Sequence, residues 1–170
     1  IYVKLSKNPE FRRLFANHGA VMLDYYLTYD RVVAATNAIN ATISERQMNR
    51  DQSLYASGRR MYHSFDKTGA SLVSYAKGRS EIVRDEFREE FGLGADIKVT
   101  IAAEGKGEVR LDDMKLPSTE YTGTFFLGND MLLEAVPADG ASFVGWEDGS
   151  TQNPRLVSPK AGDKFVAKFR

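Results

Sequence analysis

The chain has 170 residues, 42% hydrophobic and 27% charged, with a formal net charge of zero. This is ordinary globular composition, enough for one mid-sized domain or two small ones, and it argues against wholesale disorder. The chain lacks the basic excess with which nucleic-acid binders neutralise phosphates, any apolar run near the ~20 residues of a membrane span, and any cysteine for disulfides, thiolate chemistry or cysteine metal sites.

The chain opens at Ile1 without Met and without a signal-peptide pattern, and a cut edge is expected there. Asn8-Pro9 reads as a helix start: Asn caps orphan N–H groups, and Pro at the first helical position has no N–H to lose. Phe11, Leu14, Phe15, His18, Met22 and Tyr25 then follow at helical spacing and are expected to share a face. Thr28 is the next candidate N-cap, with Asp30 in the first turn where the helix dipole favours an anion. Val32, Thr36, Ile39 and Ile43 repeat the helical period. Asp51 to Ser64 is less periodic, and Gly58 marks a loop or a short helix. One last helix is expected from about Thr68 to Phe91, with Leu72, Ala76, Arg79, Val83, Phe87 and Phe91 on its face. Gly92 and Gly94 stop it.

From Asp96 the period becomes two. Ile97, Val99 and Ile101 alternate with Lys98 and Thr100, the pattern of a strand with one buried face. Glu104 to Gly107 reads as a turn, and Asp112-Asp113 as the tip of a tight hairpin. Tyr121–Phe126, Met131–Val136, Ala141–Trp146 and Lys164–Phe169 bring the count to about six or seven short strands. Gly128-Asn129, Asp139-Gly140 and Asp148-Gly149 supply turns between them. The expected fold is α+β in two segregated parts: a helical bundle of about three helices over residues 1–94, then a small, mostly antiparallel β domain over 95–170. Charge follows this split, with 14 basic against 11 acidic side chains before residue 95 and 9 against 12 after it.

Candidate chemistries are thin. His18 falls in an apolar stripe and reads as a satisfied boundary histidine; His63 reads as a loop residue, and neither has the company a metal site needs. No nucleophile-elbow spacing is present. Gly105-Lys-Gly107 and Gly92-Leu-Gly94 lack the spacing of phosphate loops and read as turns. Arg12-Arg13, Arg59-Arg60 and Glu89-Glu90 read as solvated surface pairs. Asp148 to Asn153 offers oxygen ligands but neither the calcium-loop spacing nor its closing Glu. Seven aromatics crowd the β part: Tyr121, Phe125, Phe126, Phe143, Trp146, Phe165 and Phe169. A domain of ~75 residues needs such rings to fill its core, so core is favoured over a binding face. No catalytic, cofactor-binding or metal-binding residue is assigned.

Both parts of the chain carry a resemblance. KLSKNPEFRRLF (4–15), YLTYDRVVAATNAINATISERQ (26–47) and YAKGRSEIVRDEFREEFGL (75–93) resemble the C-terminal helical part of the CotH family, spore-coat proteins of an atypical kinase fold. RDQSLYASGRRMYHSF (50–65) departs from the connector that family would place between its helices. In the β part, Leu133, Ala135, Pro137, Gly140, Phe143, Gly145, Trp146, Gly149, Asn153 and Pro154 resemble a divergent internalin-type B-repeat, a small bacterial surface module in which the Gly-Trp pair is a packing signature. The resemblance implies a non-catalytic C-terminal fragment of a larger secreted or cell-surface bacterial protein, giving structural support and contacting a protein or surface partner. It implies no cofactor for this part; charge and the lack of a long apolar run already argue against nucleic acid and a membrane span, and the oligomeric state is left open. One alternative makes the chain the fold-completing part of a protein kinase that uses ATP and magnesium. Another makes it a carbohydrate-binding module with exposed aromatics.

Overall fold

The structure, a computed structural model, describes residues 2–42, 44–55 and 65–170. The expectations for Ile43, Gly58, Arg59-Arg60 and His63 lie outside the described residues. Helices come first: α1 Tyr2–Leu5, α2 Pro9–Val21 running into a π-helical turn at Met22–Tyr26, α3 Tyr29–Thr42, α4 Glu45–Tyr55, α5 Phe65–Ala76 and α6 Arg79–Phe91. Eight strands follow: β1 Asp96–Glu104, β2 Gly107–Leu111, β3 Met114–Lys115, β4 Glu120–Phe126, β5 Met131–Pro137, β6 Phe143–Trp146, β7 Arg155–Val157 and β8 Lys164–Phe169. The class is α+β, with two four-stranded, mostly antiparallel sheets, as the change of period predicts.

Helix gives way to strand between Phe91 and Asp96. Gly92, with φ of 64°, takes the left-handed position after α6, and Leu93 N–H returns to the Arg88 carbonyl at 3.0 Å. Compactness divides the chain elsewhere: one unit joins Ile1–Tyr25 to Arg84–Arg170, and the second is Tyr26–Val83.

In the first unit one sheet has the order β4-β1-β8-β6 and the other β3-β2-β5-β7. All pairings are antiparallel except β1 with β8, which run parallel from Thr100↔Lys164 to Glu104↔Lys168. Ile97, Val99, Ile101, Phe125, Leu111 and Leu133 from the two sheets share one core with Ala16, Ala20 and Val21 of α2. The Asp112-Asp113 hairpin tip has φ of 47° and 67°, left-handed at both positions, as in a type I′ two-residue hairpin. The three-residue β7 has too little pattern to be read from sequence.

Asn8 caps α2 as expected, its Oδ1 accepting from Glu10 N at 2.8 Å and Phe11 N at 3.3 Å. The buried stripe of α2 differs from the expected one. It is Ala16, Asn17, Ala20 and Val21, while Phe15 and Met22 are exposed. Small side chains let the helix approach the strands closely, and the Phe15 ring turns sideways onto Phe87, which stacks on Phe126 of the core. Gly19 belongs to the same design: a Cβ there would meet the Phe87 ring at 2.6 Å.

In the second unit α3 packs against α5, with Gly69 facing Thr36 and Asn40. Thr36 is buried, but Ile39 is exposed and off the expected stripe. The helix expected from Thr68 to Phe91 is two helices, because Gly78 adopts φ of 71° between them.

Candidate functional site

Trp146 ends β6 and is 2% exposed. Its indole N–H donates to the Gln152 carbonyl at 2.9 Å, and its backbone N–H to the Ser150 carbonyl at 2.8 Å. Gly145 brings the chain close enough for that loop to fold back: a Cβ there would stand 3.2 Å from Ser150 O. Phe143 packs edge-on at 5.7 Å, and the buried Arg155 guanidinium lies 4.2 Å from the indole centre. Trp146 is a core anchor, and a sugar-stacking platform has no ring to use there. Of the other six aromatics, Tyr121, Phe125, Phe126 and Phe169 are buried, while Phe143 and Phe165 are partly buried.

The oxygen-rich loop that follows is occupied by the chain itself. Asp148 accepts from Arg155 at 2.6 Å and from Ser150 N at 3.0 Å, and these bonds, Arg155 first, hold its carboxyl below the usual range. Asn153 accepts the Ala135 N–H and donates to the Ala135 carbonyl, both at 2.8 Å. An amide side chain thus stands in for a strand neighbour beside β5.

A buried polar junction joins α2 to the strands. Asn17 Nδ2 donates to the Asp112 carboxylate at 2.6 Å and to the Asp130 carbonyl at 2.8 Å. Its Oδ1 accepts from Asn129 at 2.8 Å, and Asn129 also donates to the Arg13 carbonyl. Arg13 Nε completes the Asp112 shell at 2.8 Å, and His18 Nε2 lies 2.8 Å from the Asp112 carbonyl oxygen. His18 is therefore a satisfied boundary histidine. Sequence reading missed Asn17, Asn129 and Asp112 as a group; the one available signal was an Asn among the small apolar residues of α2.

A second charged junction closes the edge of β4. The π-helical turn carries Asp24, which accepts from Thr124 Oγ1 at 2.8 Å and Thr124 N at 3.3 Å. Arg84 donates to the Thr124 carbonyl at 3.0 Å and stands 3.7 Å from Asp24. The outward N–H and C=O of an edge residue are both taken, which removes a template for foreign strands.

Beside a cavity along Arg13, Asn129 and Leu156, two more are open at the surface of this unit. One, of about 390 Å³, runs along β2 between Val109, Leu116, Pro117 and Pro137. At its rim Glu108 bonds Lys115 at 2.7 Å and Arg110 at 3.1 Å, which holds its carboxyl below the usual range. The other, of about 490 Å³, is walled by Tyr2, Phe15, Phe87 and Phe91 and rimmed by Glu86, Glu89 and Glu90. Packing of the Tyr2 ring, then the Glu90 carboxylate, raise the Tyr2 phenol above its ordinary value. Among the described residues no group of three or more His, Asp or Glu is arranged to hold a metal ion, and no helix is long and apolar enough to cross a membrane. Comparison with protein-family models, curated proteins and solved structures found no match.

Proposed function

We propose that this chain is a non-catalytic module of a CotH-like bacterial surface protein, giving structural support and a contact surface for a partner. One observation carries the reading: buried Asn17, Asn129, Asp112, Arg84 and Arg155 each bond the chain's own scaffold. Asn17, Asn129 and Asp112 bond one another and nearby backbone, and Arg84 and Arg155 lock strand edges and a loop. A catalytic site keeps such groups aimed at a substrate, whereas here they hold α2 and the loops on the sheets. The Gly145-Trp146 pair, used here as a packing corner, supports the B-repeat-type resemblance. Calorimetric titration of Mg-ATP into the 170-residue chain, with a parallel assay of ATP turnover, tests the reading. No saturable heat and no turnover are expected; either one overturns it.

A further inference from the structure

We infer that α3 and α5 open and close as a folding unit of their own while the β-sheet core stays shut, and that Asp24 and Arg84 form the clasp that confines the opening. The inference goes beyond the non-catalytic reading and does not depend on it. The chain leaves the first unit after Tyr25 and re-enters it at Arg84. Asp24 and Arg84 stand at those two crossings, 3.7 Å apart, and grip the same residue of β4. Asp24 accepts the Thr124 hydroxyl at 2.8 Å and its N–H at 3.3 Å, and Arg84 donates to the Thr124 carbonyl at 3.0 Å. Arg84 also donates to the Ala20 carbonyl at 3.4 Å, lies 3.9 Å from Asp96, and sits 5.6 Å from the centre of the Phe126 ring. Both crossings are thus fastened to α2, β1 and β4, inside the first unit.

Beyond the clasp the packing is of another kind. Among the described residues of Tyr26–Val83, Thr36 alone is buried, whereas Ile39, Leu72 and Tyr75 are exposed. Gly69 of α5 faces Thr36 and Asn40 of α3, a small and polar contact that takes little apolar area out of water. Helices of 14 and 12 residues are marginal by themselves. The first unit, in contrast, seals Ile101, Leu111, Phe125, Phe126, Met131 and Leu133 completely. Opening α3 and α5 therefore costs far less than opening the sheets, and elements that rearrange are drawn from this low-stability end. Once melted, the excursion is a closed loop, and the cost of holding its ends together grows only slowly with its length. The clasp contacts all lie in the first unit, so none is lost when α3 and α5 melt.

Hydrogen exchange of the intact chain, read segment by segment by mass spectrometry, tests the proposal. Amides of α3 and α5 should exchange together, at least about 100-fold faster than those of β1, β4 and β8 once intrinsic rates are removed. Gly69→Val drives a branched side chain against Asn40, whose Nδ2 would stand 3.0 Å from the new Cβ. It should speed exchange in α3 and α5 at least about tenfold and leave the strands and the urea midpoint of Trp146 emission unchanged. That expectation holds whether α3 and α5 are loosened or lost altogether. Asp24→Asn should carry the fast exchange of α3 back into Met22–Tyr25, by a larger factor than it speeds β8. Equal protection in the helices and the strands, or a Gly69→Val effect that reaches β8 and Trp146, means one cooperative unit and overturns the proposal. So does an Asp24→Asn chain in which fast exchange still stops at Tyr26, since the clasp then confines nothing. None of these outcomes bears on ATP binding, so the non-catalytic reading stands or falls separately.

Discussion

The Arg155 guanidinium lies 4.2 Å from the centre of the Trp146 ring and donates at the same time to Asp148 at 2.6 Å. The cation covers the indole face, and the Phe165 ring centre also lies 5.4 Å from the guanidinium. The arrangement leaves Arg155 Nε buried without an acceptor, so the ring contact and the ion pair must outweigh that loss. Arg155→Ala is expected to destabilise the chain by about 2 kcal/mol, mostly through lost ring packing, since Asp148 is largely exposed. Urea unfolding followed by the emission of Trp146, the single tryptophan, reads this directly. The native chain should show blue-shifted emission insensitive to iodide, and the variant a red shift with easier quenching.

The junction under α2 should be more sensitive. Asp112 has a fully buried side chain, and Asn17 and Arg13 supply its donors. Asn17→Ala leaves a buried carboxylate short of a donor, at a cost of about 3 kcal/mol. Asp112→Asn keeps the volume and tolerates the left-handed backbone, so it should cost less. A double-mutant cycle by denaturant titration should give a coupling of about 1 kcal/mol or more between the two positions. Strict additivity would mean that the junction contributes nothing as a unit.

Closure of the β4 edge predicts a different symptom. Asp24→Ala frees the Thr124 N–H and removes one of the two carboxylates beside the buried Arg84, leaving Asp96 at 3.9 Å. A loss of about 2 kcal/mol is expected, together with concentration-dependent association measured by light scattering. Association should be absent in a variant of equal stability with the edge intact, such as Arg155→Ala.

Two depressed carboxyls contribute to the loss of stability in acid. Lys115 and Arg110 lower Glu108, and Arg155 lowers Asp148. A carboxyl lowered in the folded state binds protons first in the unfolded state. Its contribution is full above the ordinary range near pH 4 and is lost as pH falls from there through the lower folded values. The urea midpoint should therefore fall below about pH 4. Glu108→Gln combined with Asp148→Asn should flatten that fall without altering the profile between pH 6 and 8.

Local rules made much of this fold legible. Asn8-Pro9 begins a helix, Gly92 ends one, and Ile97, Val99 and Ile101 line a buried strand face because each follows from a cap, a left-handed residue or a period of two. The face of α2 was not legible. Hydrophobicity favoured Phe15 and Met22, but close approach to the sheets selected Ala16, Asn17 and Ala20, a choice that depends on what the helix meets some 100 residues later. The break at Gly78 was hidden because one glycine inside a helical period does not announce its φ. The parallel pairing of β1 with β8 and the Asn17–Asp112–Asn129 junction are long-range, and no short window contains both partners. The Gly-Trp corner was readable as a packing signature, whereas the partnership of Arg155 with Trp146 waited on geometry.

The polar contacts of α2 reach far along the chain: Asn17 meets Asp112 across 95 positions, and Asn129 meets the Arg13 carbonyl across 116. A helix of 13 residues is marginal by itself in water. On the ribosome, at ~5–20 residues per second, α2 emerges roughly ten seconds before the strands that receive it. During that interval the small-residue face has nothing to close on, and Tyr26–Val83 must be spooled out before the first unit can be completed. Refolding of the finished chain is therefore expected to be slow for its size, governed by the search of an early helix for a late sheet.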